Sequence, residues 1–168
     1  MKYLIVVDMQ VDFISGSLGS DLAKAIVSNV VEKVKSFDGK VIFTRDTHFE
    51  DYMNTQEGRN LPVSHCIKDS DGWQICDELM PYPDIVIDKL TFGSIDLPNL
   101  IKSLGEPIEK IELCGLCTDI CVISNAIVLK AAFPETLIAV DSSCSAGVSI
   151  ESHNNALNAM KAVQIEII

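Results

Sequence analysis

Lys2-Tyr3-Leu4-Ile5-Val6-Val7-Asp8 opens the chain, and its reading decides the fold. Five apolar residues follow one lysine and stop at an acid. A run this short, uncharged and partly β-branched reads as a strand buried on both faces, the kind found in parallel sheets covered by helices. Working outward, residues 21–37 place Leu22, Ile26, Val30, Val34 and Phe37 at steps of three and four. That spacing predicts an amphipathic helix, with Ser20 or Asp21 as its cap and Asp38-Gly39 as its end. Val41–Thr44, Asp84–Asp88, Ile108–Leu113, Thr136–Val140 and Val163–Ile168 read as further strands. Thr118–Ala132 reads as a helix closed before Pro134, and Ile150–Ala162 as another with Ser149 as its cap. Strands alternating with helices predict an α/β chain. The expected architecture is a single-domain three-layer αβα fold with a mainly parallel sheet of about six strands.

The chain has 168 residues, which fits one domain over 1–168. Its 13 basic and 24 acidic residues leave a formal charge of −11. An acidic surface repels phosphate backbones and anionic lipid, so nucleic acid and membrane surfaces are excluded as expected partners. No apolar run approaches the roughly 18 residues of a membrane span. The opening run stops at Asp8, too short for a signal peptide. The expected location is therefore cytoplasmic. In a reducing compartment the six cysteines are core residues or reactive thiols, not a disulfide framework. A second copy of the chain is a compatible partner, since apolar positions such as Ile150 suit a core or an interface equally well.

Ligands of parallel sheets bind beyond the carboxyl ends of the strands. Asp8 follows the first strand, Asp46 and His48 the second, Lys89 the third, Gly115–Cys121 the fourth and Asp141–Ser145 the fifth. Cys121 falls in the first turn of its helix, where peptide N–H groups favour a thiolate and can face a developing oxyanion. Core packing is the competing reading for an intracellular cysteine. Cys114, Cys117 and Cys121 also spell C-x2-C-x3-C, a loose match to redox or cluster-binding runs. A carboxylate closing a buried strand, as Asp8 does, either anchors its loop or moves protons. Lys89 is either solvated or a charge partner for one of these groups.

Residues 46–72 form a long polar stretch with little periodicity, which in a compact domain usually signals function. Asp46-x-His48 puts two donors on one side of an extended segment. Glu57 and His65 can return from the loop to complete a shell suited to one divalent metal: zinc, with iron or manganese as alternatives. Hydrogen-bonded loop residues would account for the same pattern.

D-M-Q-V-D-F at 8–13, T-R-D-T-H at 44–48, L-P-V-S-H-C at 61–66, Lys89 and C-G-L-C-T-D-I-C-V at 114–122 together resemble the isochorismatase-like cysteine hydrolases, nearest the nicotinamidase/pyrazinamidase branch. The resemblance runs from Asp8 to the S-x-E-S-H segment at 149–153. It implies a catalytic triad of Asp8, Lys89 and Cys121. It implies a cis peptide at Leu116–Cys117 and an oxyanion hole from the N–H groups of Cys117 and Cys121. It also implies a metal held by Asp46, His48 and His65, with Glu57 as fourth ligand. The expected reaction is hydrolysis of nicotinamide or pyrazinamide to the acid and ammonia through a cysteine thioester. Hydrolysis of another small carboxamide or carbamoyl compound by a related amidase is the alternative. Phe13 matches a substrate-lining aromatic. Leu61 stands where nicotinamidases commonly carry an aromatic that stacks on the substrate ring, and Trp73 is a third lining candidate.

Overall fold

The computed structural model describes residues 1–168. Its strands are β1 (Lys2–Val7), β2 (Lys40–Asp46), β3 (Ile85–Lys89), β4 (Lys110–Leu116), β5 (Leu137–Ala146) and β6 (Glu166–Ile167). They form one sheet in the order β3-β2-β1-β4-β5-β6, and every pair is parallel. The helices are α1 (Val11–Ile14), α2 (Asp21–Ser36), α3 (Gln56–Asn60), α4 (Asp96–Ser103), α5 (Ile123–Ala132) and α6 (Ile150–Ala162).

Alternation along β1 builds both cores at once. Tyr3, Ile5 and Val7 pack with Leu97 and Ile101 of α4, Ala126 and Leu129 of α5, and Leu157 and Met160 of α6. Leu4 and Val6 face the other way, onto Ile14 of α1 and Ala23, Ile26, Val30 and Val34 of α2. All five strand residues are fully buried, as the uncharged opening run requires. At roughly 1.5–3 kcal/mol for each large apolar side chain buried, this strand is a main source of stability. α2 keeps its expected face, and the Ser20 hydroxyl caps it by accepting from the Ala23 N–H. α6 starts at Ser149 with a reciprocal Ser149–Ser152 capping box. Lys33 of α2 reaches Glu112 at 2.9 Å and Asp141 at 2.7 Å, tying the helix to β4 and β5.

Several expected boundaries shift. β5 runs through Asp141–Ser145, which the sequence reading places beyond the strand. The Asp141 carboxylate accepts from the Ser143 and Cys144 N–H groups, closing a bulge after which pairing with β4 resumes at Ser145. β4 continues past Leu113 to Leu116, whereas β6 is only two residues, because Val163 and Gln164 form a turn with Gln164 at φ +64°. The polar stretch holds α3, capped by Thr55 accepting from the Gly58 N–H. α1 and α4 have no counterpart in the sequence reading. Pro98 looks like a helix breaker, yet it lies in the first turn of α4, where its missing N–H costs nothing.

Gly115 is required where β4 passes β1. Its φ is +116°, and a Cβ there would lie 2.2 Å from the Val7 carbonyl oxygen. Gly115→Ala is expected to destabilise the fold by about 3 kcal/mol or more, measured by urea unfolding. Wild-type stability would contradict this tight passage.

Candidate active site

The strand order reverses between β1 and β4, which opens a crevice at the carboxyl ends of the strands. Asp8 leaves β1 with φ +48°, a conformation Asp tolerates, and its Oδ1 accepts from the Thr44 hydroxyl at 2.6 Å. Asp46 and Lys89 are register partners on β2 and β3. Lys89 Nζ therefore sits 2.9 Å from Asp46 Oδ1, and it also lies 2.7 Å from Asp8 Oδ2 and 3.4 Å from Cys121 Sγ. Cys121 occupies a wide turn, Thr118–Val122, between β4 and α5. The Leu116–Cys117 peptide before the turn is cis. The buried Asn125 amide donates to the Cys121 carbonyl at 2.8 Å, and its oxygen accepts from the Ser94 N–H at 2.9 Å. Asp8, Lys89 and Cys121 thus meet, as expected.

Burial dominates the electrostatics. It lifts the Asp8 carboxyl above its ordinary range, and Asp46 adds to the rise, while Lys89 and Thr44 hold it back. Lys89 stays charged, because Asp8, Cys121 and Asp46 outweigh its own desolvation. Burial and the Asp8 charge push the Cys121 thiol well above its usual value, and Lys89 only partly offsets them. Burial thus opposes the thiolate that the helix terminus favours. The Asp8 carboxylate beside the sulfur is able to accept its proton.

Asp46, His48, Glu57 and His65 also converge, with four ligand atoms all within 4.8 Å of one another. His48 Nε2 lies 2.9 Å from Asp46 Oδ2 and 3.6 Å from Glu57 Oε1, and His65 Nε2 lies 3.6 Å and 3.8 Å from the same atoms. Ligands at tetrahedral zinc distances stand about 3.4 Å apart, so the spacing fits a metal. His65 Nδ1 donates to the Val63 carbonyl at 2.8 Å, which leaves Nε2 free to ligate. His48 Nε2 is buried without a hydrogen-bond partner, an orphan that a cation would satisfy. Burial raises the Asp46 pKa, but the two imidazoles beside its Oδ2 and the Lys89 charge hold it far below the carboxylate range. Its two oxygens divide the work, one facing Lys89 and one facing the imidazoles.

Cys121, Asp46, Glu57 and His65 line one cavity of about 310 Å³. Phe13 and Leu61 line it too. Trp73 does not, which corrects its assignment. Its indole N–H donates to Thr47 Oγ1 at 2.9 Å, and the Arg45 guanidinium covers the ring at 3.6 Å. Trp73 is a buried strut, and its backbone oxygen accepts from Gln10 Nε2. Cys114 packs in the α1–α2 core and Cys121 in the α4–α6 core, so the C-x2-C-x3-C run gathers no shared thiol site.

Sequence reasoning missed Tyr52, Gln10, Asp12 and Asn125. The Tyr52 ring stands 4.6 Å from His48 and 5.1 Å from His65. Gln10 bonds both the N–H and the carbonyl of Asp46, and Asp12 Oδ2 accepts from the Cys66 N–H beside His65. Gln10 and Asp12 lie in D-M-Q-V-D-F, so the motif was their only signal.

Residues 2–168 match the family model for the isochorismatase domain, and the chain belongs to the isochorismatase family. It is similar to the nicotinamidase of Schizosaccharomyces pombe, 26% identical, covering 98% of this chain and 91% of that protein. Among solved structures it resembles the pyrazinamidase of Pyrococcus horikoshii in complex with zinc, with a TM-score of 0.87 and 25% identity over 99% of this chain and 98% of that one. The nicotinamidase/pyrazinamidase of Bacillus subtilis superposes with a TM-score of 0.86 at 26% identity, again over 99% and 98%. No helix of the chain is long and apolar enough to cross a membrane.

Proposed function

We propose that the chain is a cysteine amidohydrolase that converts nicotinamide, or an analogue such as pyrazinamide, to the acid and ammonia. The observation that carries this reading is one cavity lined by Cys121 and by three of the four candidate metal ligands, Asp46, Glu57 and His65, with Lys89 bridging Asp8, Asp46 and the sulfur. Asp8 takes the Cys121 proton, and the sulfur attacks the carboxamide carbon. The oxygen that gains charge meets the N–H groups of Cys117 and Cys121. Asp8 returns the proton to the leaving nitrogen, ammonia departs, and a thioester remains. Asp8 then takes a proton from water, whose oxygen displaces the sulfur, freeing the acid and restoring the thiol. Lys89 keeps the buried carboxylates compensated throughout.

Asp46, His48, Glu57 and His65 would hold the divalent ion. When bound, the ion supplies a Lewis-acidic point to orient a ring nitrogen. Zinc is favoured by the zinc-bound P. horikoshii relative, and the donors also suit iron or manganese. His48→Ala is expected to reduce metal content below one per chain, measured by atomic emission, and to raise KM about tenfold. Full metal occupancy in that variant would refute the site.

Hydrolysis of a carbamoyl amino acid is the second reading. Such substrates carry a carboxylate, yet the charged carboxylates lining the cavity are Asp46 and Glu57, and no lysine or arginine lines it. A neutral ring carboxamide fits that lining better. The test is ammonia release by metal-replete enzyme from nicotinamide and from N-carbamoylglycine. We expect kcat/KM to favour nicotinamide by at least about a hundredfold. Preference for the ureido acid would reverse the assignment.

A further inference from the structure

His153 is the third histidine of the chain, and neither the triad nor the metal group uses it. It lies in the first part of α6, half-buried, against the turn that carries Cys121. Its Nδ1 stands 2.8 Å from the Thr118 hydroxyl. Thr118 is fully buried at the start of that turn, and His153 is the one hydrogen-bond partner of its hydroxyl. A second tie lies alongside, where Asp119 Oδ1 accepts from the Val148 N–H at 3.1 Å. Gly147 lets the two segments approach. A Cβ there would stand 2.9 Å from both Asp119 Oδ1 and the His153 backbone nitrogen. Burial keeps the His153 imidazole below its ordinary pKa against the pull of Asp119, so a neutral ring meets the threonine.

We propose that His153 is a positioning residue, which through Thr118 fixes the Thr118–Val122 turn and hence the aim of the Cys121 sulfur and the peptide N–H groups beside it. This rests on Cys121 being the nucleophile. Neither Thr118 nor His153 lines the cavity, so the tie acts on the geometry of the reacting sulfur and not on the grip on substrate. A displacement near 1 Å at a reacting atom costs about a hundredfold in rate, so one hydrogen bond at the root of the turn has leverage.

The test compares His153→Ala, His153→Asn, Thr118→Val and the His153→Ala/Thr118→Val pair in the metal-replete enzyme. kcat for nicotinamide should fall about ten- to a hundredfold in His153→Ala and in Thr118→Val, with KM within about twofold. The pair should be no worse than the poorer single variant, because both remove one bond. His153→Asn, whose amide reaches toward the Nδ1 position, should recover most of the loss. The rate at which iodoacetamide labels Cys121, followed peptide by peptide, should shift in the same order without any substrate. That second readout decides the role of His153 even where nicotinamide proves the wrong carboxamide, while an active Cys121→Ala enzyme would sink the nucleophile itself. Unchanged kcat and labelling in His153→Ala, or losses that multiply in the pair, would overturn the proposal. The His153 variants alone suffice should Thr118→Val fail to fold.

Discussion

Cys121→Ala is expected to lower ammonia release from nicotinamide by about 10⁴-fold or more, the scale of loss when a covalent nucleophile is removed. Cys121 is buried at 5% exposure, and its sulfur stands 3.4 Å from Lys89, within a turn where Asn125 holds the Cys121 carbonyl. Alanine removes one sulfur atom from this setting and leaves every backbone bond in place. The cost in stability should stay near 1–2 kcal/mol, so circular dichroism and metal content should match wild type. Loss of rate with fold and metal intact separates a nucleophile from a packing residue. A variant that keeps more than a small fraction of wild-type turnover would make Cys121 a core cysteine after all.

The second large effect is expected at Asp8. Asp8→Asn keeps the shape and can retain a hydrogen bond with Thr44, but it cannot accept the thiol proton. Lys89 keeps Asp46 Oδ1 at 2.9 Å and the Thr91 carbonyl at 3.1 Å as partners, so the fold should survive. General acid–base catalysis contributes about 10²–10⁴-fold, and kcat should fall within that range. The pH dependence gives a separate check. Asp8 must be ionised in the free enzyme to take the proton. Burial raises its pKa above the ordinary 3.8. Wild-type kcat/KM should therefore decline as pH falls through that raised value, at a higher pH than an ordinary carboxylate would give. The residual activity of Asp8→Asn should lack this limb. Wild-type rates in Asp8→Asn would remove Asp8 from the chemistry.

Much of this arrangement was legible in the sequence because it follows from period and position. β1 was readable from its uncharged run, and α2 and α6 from their spacing and serine caps. Asp8, Asp46, Lys89 and Cys121 were legible together because a parallel sheet brings its strand ends to one edge. Other features depend on contacts that sequence spacing does not encode. Trp73 is an aromatic near the metal loop, yet the Arg45 guanidinium and Thr47 claim it for packing. Tyr52 carries no motif, and only the folding of the polar stretch around α3 brings it to the two imidazoles. The helix position of Cys121 and a nearby lysine are visible in sequence, while the burial beside Asp8 that opposes ionisation of the thiol is not. Asp141–Ser145 looked like a loop because its polarity hides a bulge closed by one carboxylate.

Acyl transfer through Cys121 is tested most directly by partitioning between water and hydroxylamine. A thioester on Cys121 is attacked by hydroxylamine to give the hydroxamate and the free thiol, in competition with water giving the acid. With nicotinamide and metal-replete enzyme, the hydroxamate-to-acid ratio should rise in proportion to hydroxylamine concentration, and neither product should form with Cys121→Ala. Ammonia release without hydroxamate at any hydroxylamine concentration, persisting in Cys121→Ala, would contradict a cysteine-bound acyl intermediate.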